Sequence, residues 1–106
     1  MGKSILVIDD ETLILDAIKT IFEDMGYSVQ TTPDPVQGTE KAIQNEYDLI
    51  LTDVRMPVRN GAEITEAIIA NRPAARILVM QRAMSAGAIG LLKKPFEIAK
   101  ILDFLK

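Results

Sequence analysis

Short apolar runs alternate with segments of helical periodicity along the chain, and this alternation constrains the fold more than any other feature. Each run is too brief for a helix and is rich in aliphatic or β-branched residues, so each predicts a strand. The predicted strands are Ser4–Ile8, Tyr27–Thr31, Leu49–Leu51, Ile77–Met80 and Ile89–Leu92. The predicted helices are Glu11–Met25, Pro35–Glu46, Ala62–Asn71 and Glu97–Leu105. Such alternation is typical of an α/β fold with a parallel sheet and helices on both faces.

The composition fits one domain, residues 1–106, able to bury about two thirds of its unfolded surface. The absence of histidine and cysteine excludes Ser-His-Asp and thiolate catalysis and most transition-metal sites. A net charge of −3 gives no reason to expect nucleic-acid binding. The sequence shows neither a signal peptide nor an apolar run of about 20 residues that could span a membrane. The lack of cysteine favours an intracellular setting.

Acidic residues follow two of the predicted strands. Asp53 lies at the end of the third strand, and Asp9, Asp10 and Glu11 follow the first. If these strands are parallel neighbours, the carboxylates meet at one edge of the sheet, where they repel one another unless a cation joins them. A cluster with only oxygen ligands suits Mg²⁺. Each acid also has a purely structural interpretation, since Asp9 and Asp10 could cap the first helix and Asp53 could accept hydrogen bonds from loop amides.

The junction between the fourth and fifth strands is too short. Only residues 81–88 separate them, whereas a parallel crossover needs about a dozen or more. Residues 81–87 have the pattern of a helix end with a glycine stop but no helix start. Either the chain has a true deletion or about nine residues after Met80 are missing from the sequence, and the incomplete helix favours the second explanation.

The ordered motifs resemble the receiver domain of two-component response regulators, the CheY-like superfamily. They are Asp9-Asp10-Glu11, Asp53 with Met56-Pro57 and Gly61, Gly87-Ala88, and Lys94-Pro95-Phe96. The resemblance covers essentially the whole chain. It implies a doubly wound, flavodoxin-like sheet of five parallel strands in the order 2-1-3-4-5, with a truncated or partly missing fourth helix. The site then lies at the switch point between the first and third strands.

The resemblance also implies the roles of the site residues. Asp53 would be the nucleophile that takes a phosphoryl group from a sensor histidine kinase or a phosphotransfer protein. Asp10, Asp53 and the backbone carbonyl of Arg55 would ligate Mg²⁺, and Asp9 would act mainly through a bound water. Mg²⁺ and the Lys94 ammonium would neutralise the transferring group. Lys94 could otherwise be an ordinary solvated lysine.

By the same resemblance the chain is a cytoplasmic switch rather than an enzyme, catalysing only its own phosphotransfer and autodephosphorylation. An output domain after Lys106 and a homodimer are both compatible with it. Two residues depart from the family pattern: Gln81 follows Met80 where a Thr or Ser is expected, and Leu91 replaces an aromatic residue. The alternatives are a pseudo-receiver that works without phosphorylation and a Mg²⁺-dependent hydrolase. The hydrolase lacks a second aspartate two residues after its nucleophile, where Arg55 stands.

Overall fold

A computed structural model describes residues 3–53, 61–81 and 90–93. Within these ranges strands and helices alternate as predicted. The elements are β1 (Ser4–Ile8), α1 (Thr12–Asp24), β2 (Ser28–Thr32), α2 (Pro35–Gln44), β3 (Leu49–Asp53), α3 (Gly61–Asn71), β4 (Ile77–Gln81) and β5 (Gly90–Lys93). The predicted helix at 97–105 lies outside the described residues. None of the described helices has the length and apolar character that crossing a bilayer requires.

The strands form one parallel sheet in the order β2-β1-β3-β4-β5. This confirms the predicted doubly wound, flavodoxin-like architecture. The chain leaves β1 toward β2 on one side and returns to β3 on the other, so the strand order reverses at β1. Ile8 pairs with Thr32 of β2 and with Thr52 of β3, which brings the carboxyl ends of three strands level. A ligand site in such a sheet is expected at this edge.

Two apolar clusters hold the helices against opposite faces of the sheet. On one face α1 contributes Leu15, Ile18 and Phe22. On the other, α2 contributes Ala42 and α3 contributes Ile64 and Ile68. Strand side chains divide between the clusters by the alternation of a pleated strand. Ile5, Val7, Leu49 and Leu51 belong to the first, and Leu6, Ile8 and Ile50 to the second. The central strands are therefore buried on both sides and cannot shift register without exposing one face.

Local sequence signals set the helix ends. Asp34 caps α2 by accepting a hydrogen bond from the Val36 amide at 2.9 Å, and Pro35 occupies the first helical turn. Gly26, with φ of 95°, follows α1 and turns the chain toward β2. The observed ends of the described helices lie within two residues of the predicted ones.

The junction between β4 and β5 is as short as the sequence predicts. Met80 and Gln81 are consecutive residues of β4, paired with Leu92 and Lys93 of β5. That about nine residues are missing after Met80 stays a prediction, with a true deletion as its alternative. Because β4 extends through Gln81, only eight residues, 82–89, connect two parallel neighbours. That segment lies outside the described residues.

Candidate functional site

The acids that follow β1 and end β3 come together at the carboxyl edge of the sheet. Asp9, Asp10, Glu11 and Asp53 each offer a carboxylate oxygen, and these oxygens all lie within 4.8 Å of one another. Asp9 and Asp53 are buried, with exposed fractions of 0% and 7%, whereas Asp10 is exposed. The structure thus joins the three acids predicted from the sequence. It also places the Glu11 carboxylate in the cluster. The position of Glu11 directly after Asp10 was the sequence signal for this.

Asp9 is fixed by the turn that leads from β1 into α1. Its amide donates to the Thr32 carbonyl at 3.2 Å, which continues the β1–β2 pairing by one residue. Its Oδ1 accepts a hydrogen bond from the Glu11 amide at 2.9 Å. This contact forms an aspartate turn. The N-cap position of α1 is occupied by Glu11 and not by Asp9. One carboxylate oxygen therefore orients the turn.

Asp53 owes its place to β3, a strand that is buried along its whole length. All five residues of β3 are buried, and Asp53 is the last of them, in register with Met80 of β4. The neighbouring Thr52 is fully buried, and its hydroxyl donates to the Asp53 carbonyl at 3.2 Å. A carboxylate held at the end of such a strand has little freedom to move away from the acids after β1. Its position relative to them is set by the sheet.

The donor set fits a hard divalent cation. Four carboxylates at this separation repel one another, and a bound cation relieves that repulsion. Oxygen-only ligands of this kind suit Mg²⁺, which is commonly held by one or two carboxylates together with waters and a phosphate. The chain has no histidine or cysteine that would favour a softer metal. Asp9, Asp10, Glu11 and Asp53 are thus the described residues that could hold the ion.

Two predicted site residues, Lys94 and Arg55, lie outside the described residues, as do the motifs at 56–57 and 87–88. The strand that precedes Lys94 is described: β5 ends at Lys93, in register with Gln81 at the end of β4. The backbone of this part of the chain therefore reaches the same edge of the sheet as the acids.

A separate cavity of about 660 Å³ lies at the opposite edge of the sheet, between the carboxyl ends of α2 and α3. Arg72 bridges these helices there. Its Nε donates to the Ile43 carbonyl at 2.7 Å, and its guanidinium lies 3.6 Å from the exposed Glu46 carboxylate. The Arg72 guanidinium thus joins the two helices and satisfies the Ile43 carbonyl near the end of α2. The cavity is remote from the acid cluster.

Together, the fold and the cluster define a flavodoxin-like domain with an acidic site at its switch point. A model of the response regulator receiver domain matches residues 5–106. The chain therefore belongs to the response regulator receiver domain family. Members of this family are signalling switches rather than enzymes with separate substrates, and they work with histidine kinases and output domains.

Known proteins resemble the chain over nearly its full length. The chemotaxis protein CheY of Halobacterium salinarum is 28% identical over 112 aligned residues, covering 97% of this chain and 93% of that protein. The response regulator ArlR of Staphylococcus saprophyticus is 33% identical over 92% of this chain but 48% of its own length. The chain thus spans nearly all of the first relative and about half of the second.

A solved structure adds a functional detail about a neighbour. The receiver domain of the sensor histidine kinase PA1611 from Pseudomonas aeruginosa has a TM-score of 0.88 and 28% identity to this chain. The match covers 99% of this chain and 95% of that one. That receiver holds a magnesium ion in its active-site cleft.

The alignment with the Halobacterium protein is longer than the part of this chain that it covers. It has 112 positions, whereas 97% of this chain is about 103 residues, so about nine positions of that relative have no counterpart here.

Proposed function

We propose that Asp53 accepts a phosphoryl group from a phosphohistidine of a sensor histidine kinase or phosphotransfer protein, in a reaction that depends on Mg²⁺. In this proposal the whole chain, 1–106, acts as one receiver domain in the cytoplasm. The observation that carries it is the convergence of buried Asp53 with Asp9 and Asp10 at the switch point of the sheet. The turn contact of Asp9 explains one of these carboxylates, but burying Asp53 beside three further acids is costly unless a cation joins them.

The proposed step is an in-line displacement at phosphorus. A carboxylate oxygen of Asp53 forms the new P–O bond while the P–N bond of the phosphohistidine breaks, and the imidazole leaves with the bonding electron pair. The phosphohistidine must lie outside residues 1–106 because these contain no histidine. Reaction of the aspartyl phosphate with water would return the carboxylate and release inorganic phosphate, which is the proposed autodephosphorylation.

The acids after β1 give the site its charge. Asp10 and Asp53, with the backbone carbonyl of Arg55, would hold Mg²⁺ directly, and Asp9 would contribute mainly through a bound water. When bound, the ion would neutralise charge on the phosphoryl oxygens. Asp9 is suited to an indirect role because its Oδ1 already accepts the Glu11 amide.

Lys94 is proposed as the second positive group of the site. It directly follows β5, which lies two strands from β3, and neighbouring strands are about 4.8 Å apart. The backbone that precedes Lys94 is thus about 10 Å from β3 across the sheet, a span that a lysine side chain and a phosphoryl group can fill together. Lys94 would then stabilise the negative charge that the phosphoryl oxygens carry during transfer.

Phosphorylation of Asp53 is proposed to switch the domain between two packings and so to alter a surface read by a partner or an output domain. Gln81 ends β4 where the family places a hydroxyl residue, and eight residues connect it to β5. The response is therefore expected to differ in detail from that of receivers with the hydroxyl. The comparisons give the phosphorylation-independent alternative no support.

The test is the uptake of one phosphoryl group from acetyl phosphate in the presence of Mg²⁺, measured by mass spectrometry of the intact protein. We expect a single modification that disappears in Asp53→Asn and in excess chelator. Asp34→Asn is the matched control, because asparagine caps a helix as well as aspartate and Asp34 lies outside the acid cluster. Uptake that persists in Asp53→Asn, or none in the wild type with Mg²⁺, would contradict the proposal.

A further inference from the structure

Helix α2 approaches β1 unusually closely beside the acid cluster. The contact is made by Gly38, which is buried in α2, and by Ile8, the last residue of β1. A methyl group at position 38 would lie 2.6 Å from Cγ1, 2.7 Å from Cδ1 and 2.9 Å from Cγ2 of Ile8. Ordinary carbon–carbon contacts lie at about 3.5–4.0 Å. No side chain larger than hydrogen fits without movement.

Ile8 has no room to give way. Its side chain is fully buried, in one cluster with Ala42, Ile50 and Ile64. Because Ile is branched at Cβ, a rotation about χ1 exchanges one γ carbon for the other and does not clear the space. A larger residue at position 38 must therefore displace the backbone of β1 or of α2.

Both displacements would reach Asp9. Movement of β1 acts directly, since Asp9 follows Ile8. Movement of α2 acts through its first turn, where the Asp34 amide donates to the Thr32 hydroxyl at 3.1 Å. The carbonyl of Thr32 in turn accepts the Asp9 amide. Gly38 thus lies against Ile8 at the end of β1. Through α2 and Asp34 it is also linked to Thr32, whose carbonyl accepts the Asp9 amide.

Glycine is otherwise a poor choice at this place. Gly38 lies inside α2, where its amide donates to the Asp34 carbonyl, and glycine is the weakest helix former after proline. Helix propensity alone would favour alanine. The close approach to Ile8 gives a physical reason for glycine.

We propose that Gly38 is a positioning residue for the metal site: by letting α2 rest directly on Ile8, it sets the place of Asp9 and Asp10 relative to Asp53. The inference rests on the proposed function, because it assumes that these acids bind Mg²⁺. Mg²⁺ requires near-ideal octahedral geometry and tolerates small displacements of its ligands poorly.

The experiment compares Mg²⁺ binding by calorimetry in the wild type and Gly38→Ala, at a temperature where circular dichroism shows both folded. We expect about tenfold weaker binding in Gly38→Ala, the lower end of what substitutions behind metal ligands cost. The Mg²⁺ concentration for half-maximal phosphorylation should rise by the same factor, with the rate at saturating Mg²⁺ unchanged. Gln44→Ala, an exposed change in the same helix, should leave both values unaltered.

A compensating variant separates the steric contact from a general loss of stability. Ile8→Ala removes all three atoms that a methyl group at position 38 would meet. In that background Gly38→Ala should change Mg²⁺ affinity by less than twofold. An equal loss in both backgrounds, or no loss in Gly38→Ala alone, would overturn the inference.

If Gly38→Ala alone does not fold, Ile8→Ala is compared with the double variant Ile8→Ala, Gly38→Ala. Equal Mg²⁺ affinity in these two proteins supports the steric role of Gly38, and a tenfold lower affinity in the double variant refutes it. A wild type that binds Mg²⁺ and is phosphorylated while Gly38→Ala keeps full affinity would refute this inference alone. A wild type that does not bind Mg²⁺ would refute the proposed function as well.

Discussion

Mg²⁺ is expected to stabilise the folded domain because it relieves repulsion that only the folded state creates. The unfolded chain separates the acids after β1 from Asp53, whereas folding brings their oxygens within 4.8 Å. Two unit charges at that distance repel by about 0.9 kcal/mol in water and by about 3.5 kcal/mol at an effective dielectric constant of 20. The buried pair Asp9 and Asp53 lies nearer the second limit and the exposed Asp10 nearer the first.

Linkage converts this into a measurable shift. At a Mg²⁺ concentration 100 times the Kd, binding adds about 2.7 kcal/mol to the free energy of unfolding. With an unfolding entropy of about 2.1 cal/mol/K per residue, a chain of 106 residues has about 220 cal/mol/K. The melting temperature should therefore rise by about 12 °C. Differential scanning calorimetry over a Mg²⁺ series gives both the shift and the Kd.

The control is NaCl at matched ionic strength, because screening alone would also reduce repulsion between exposed charges. We expect NaCl to raise the melting temperature by only a small fraction of the Mg²⁺ effect. Asp53→Asn and Asp10→Asn should each reduce the Mg²⁺ dependence. The proposed Mg²⁺ site would be refuted if Mg²⁺ well above millimolar concentration did not change the melting temperature. It would also be refuted if Mg²⁺ and NaCl raised the melting temperature equally.

Three further outcomes follow from contacts away from the acids. Asp34→Ala should lower the free energy of unfolding in urea by about 1 kcal/mol, since the Val36 amide loses its cap, whereas Asp34→Asn should lose almost none. Arg72→Ala should lose about 1–2 kcal/mol by the same assay because the Ile43 carbonyl loses its charged donor, and Arg72→Lys should not restore it. Burial raises the pKa of the Tyr47 hydroxyl above its ordinary value of 10.0, so the unfolded chain ionises first. The contribution of Tyr47 to the free energy of unfolding is therefore complete below pH 10.0 and is lost as the pH rises toward the folded-state pKa. Tyr47→Phe should remove this loss when the free energy of unfolding is measured in urea at pH values above 10.0.

Local signals in the sequence were sufficient for the fold class and for the acids at two strand ends, whereas the strand order that makes those strands neighbours came from the resemblance to receiver domains. Short apolar runs that end in acids define strands and their carboxyl ends, and parallel topology then brings those ends together. The helix stripes were predicted less well. In α1, Leu13 is 82% exposed because, at 100° per residue, it lies about 140–180° around the helix axis from the buried Leu15, Ile18 and Phe22.

Contacts between distant segments were beyond local patterns. The bond from Arg72 to Ile43 joins residues 29 apart in sequence, and the approach of Gly38 to Ile8 depends on how closely a helix lies on a strand. β2 begins at Ser28 rather than Tyr27, because the Tyr27 amide donates to the Phe22 carbonyl at the end of α1 and the Ser28 amide is the first to reach the neighbouring segment, at the Lys3 carbonyl. The short β4–β5 connection was noticed in the sequence, and its explanation by omitted residues stays a prediction.

A crystal structure of the domain with Mg²⁺ and beryllium fluoride tests the central claim most directly. We predict the fluoride adduct on an Asp53 carboxylate oxygen, the metal bound by Asp10 and Asp53, and the Lys94 ammonium within hydrogen-bond distance of a fluorine. An adduct on another residue, or a metal bound away from Asp10 and Asp53, would contradict the claim that these segments form one phosphoryl-accepting site.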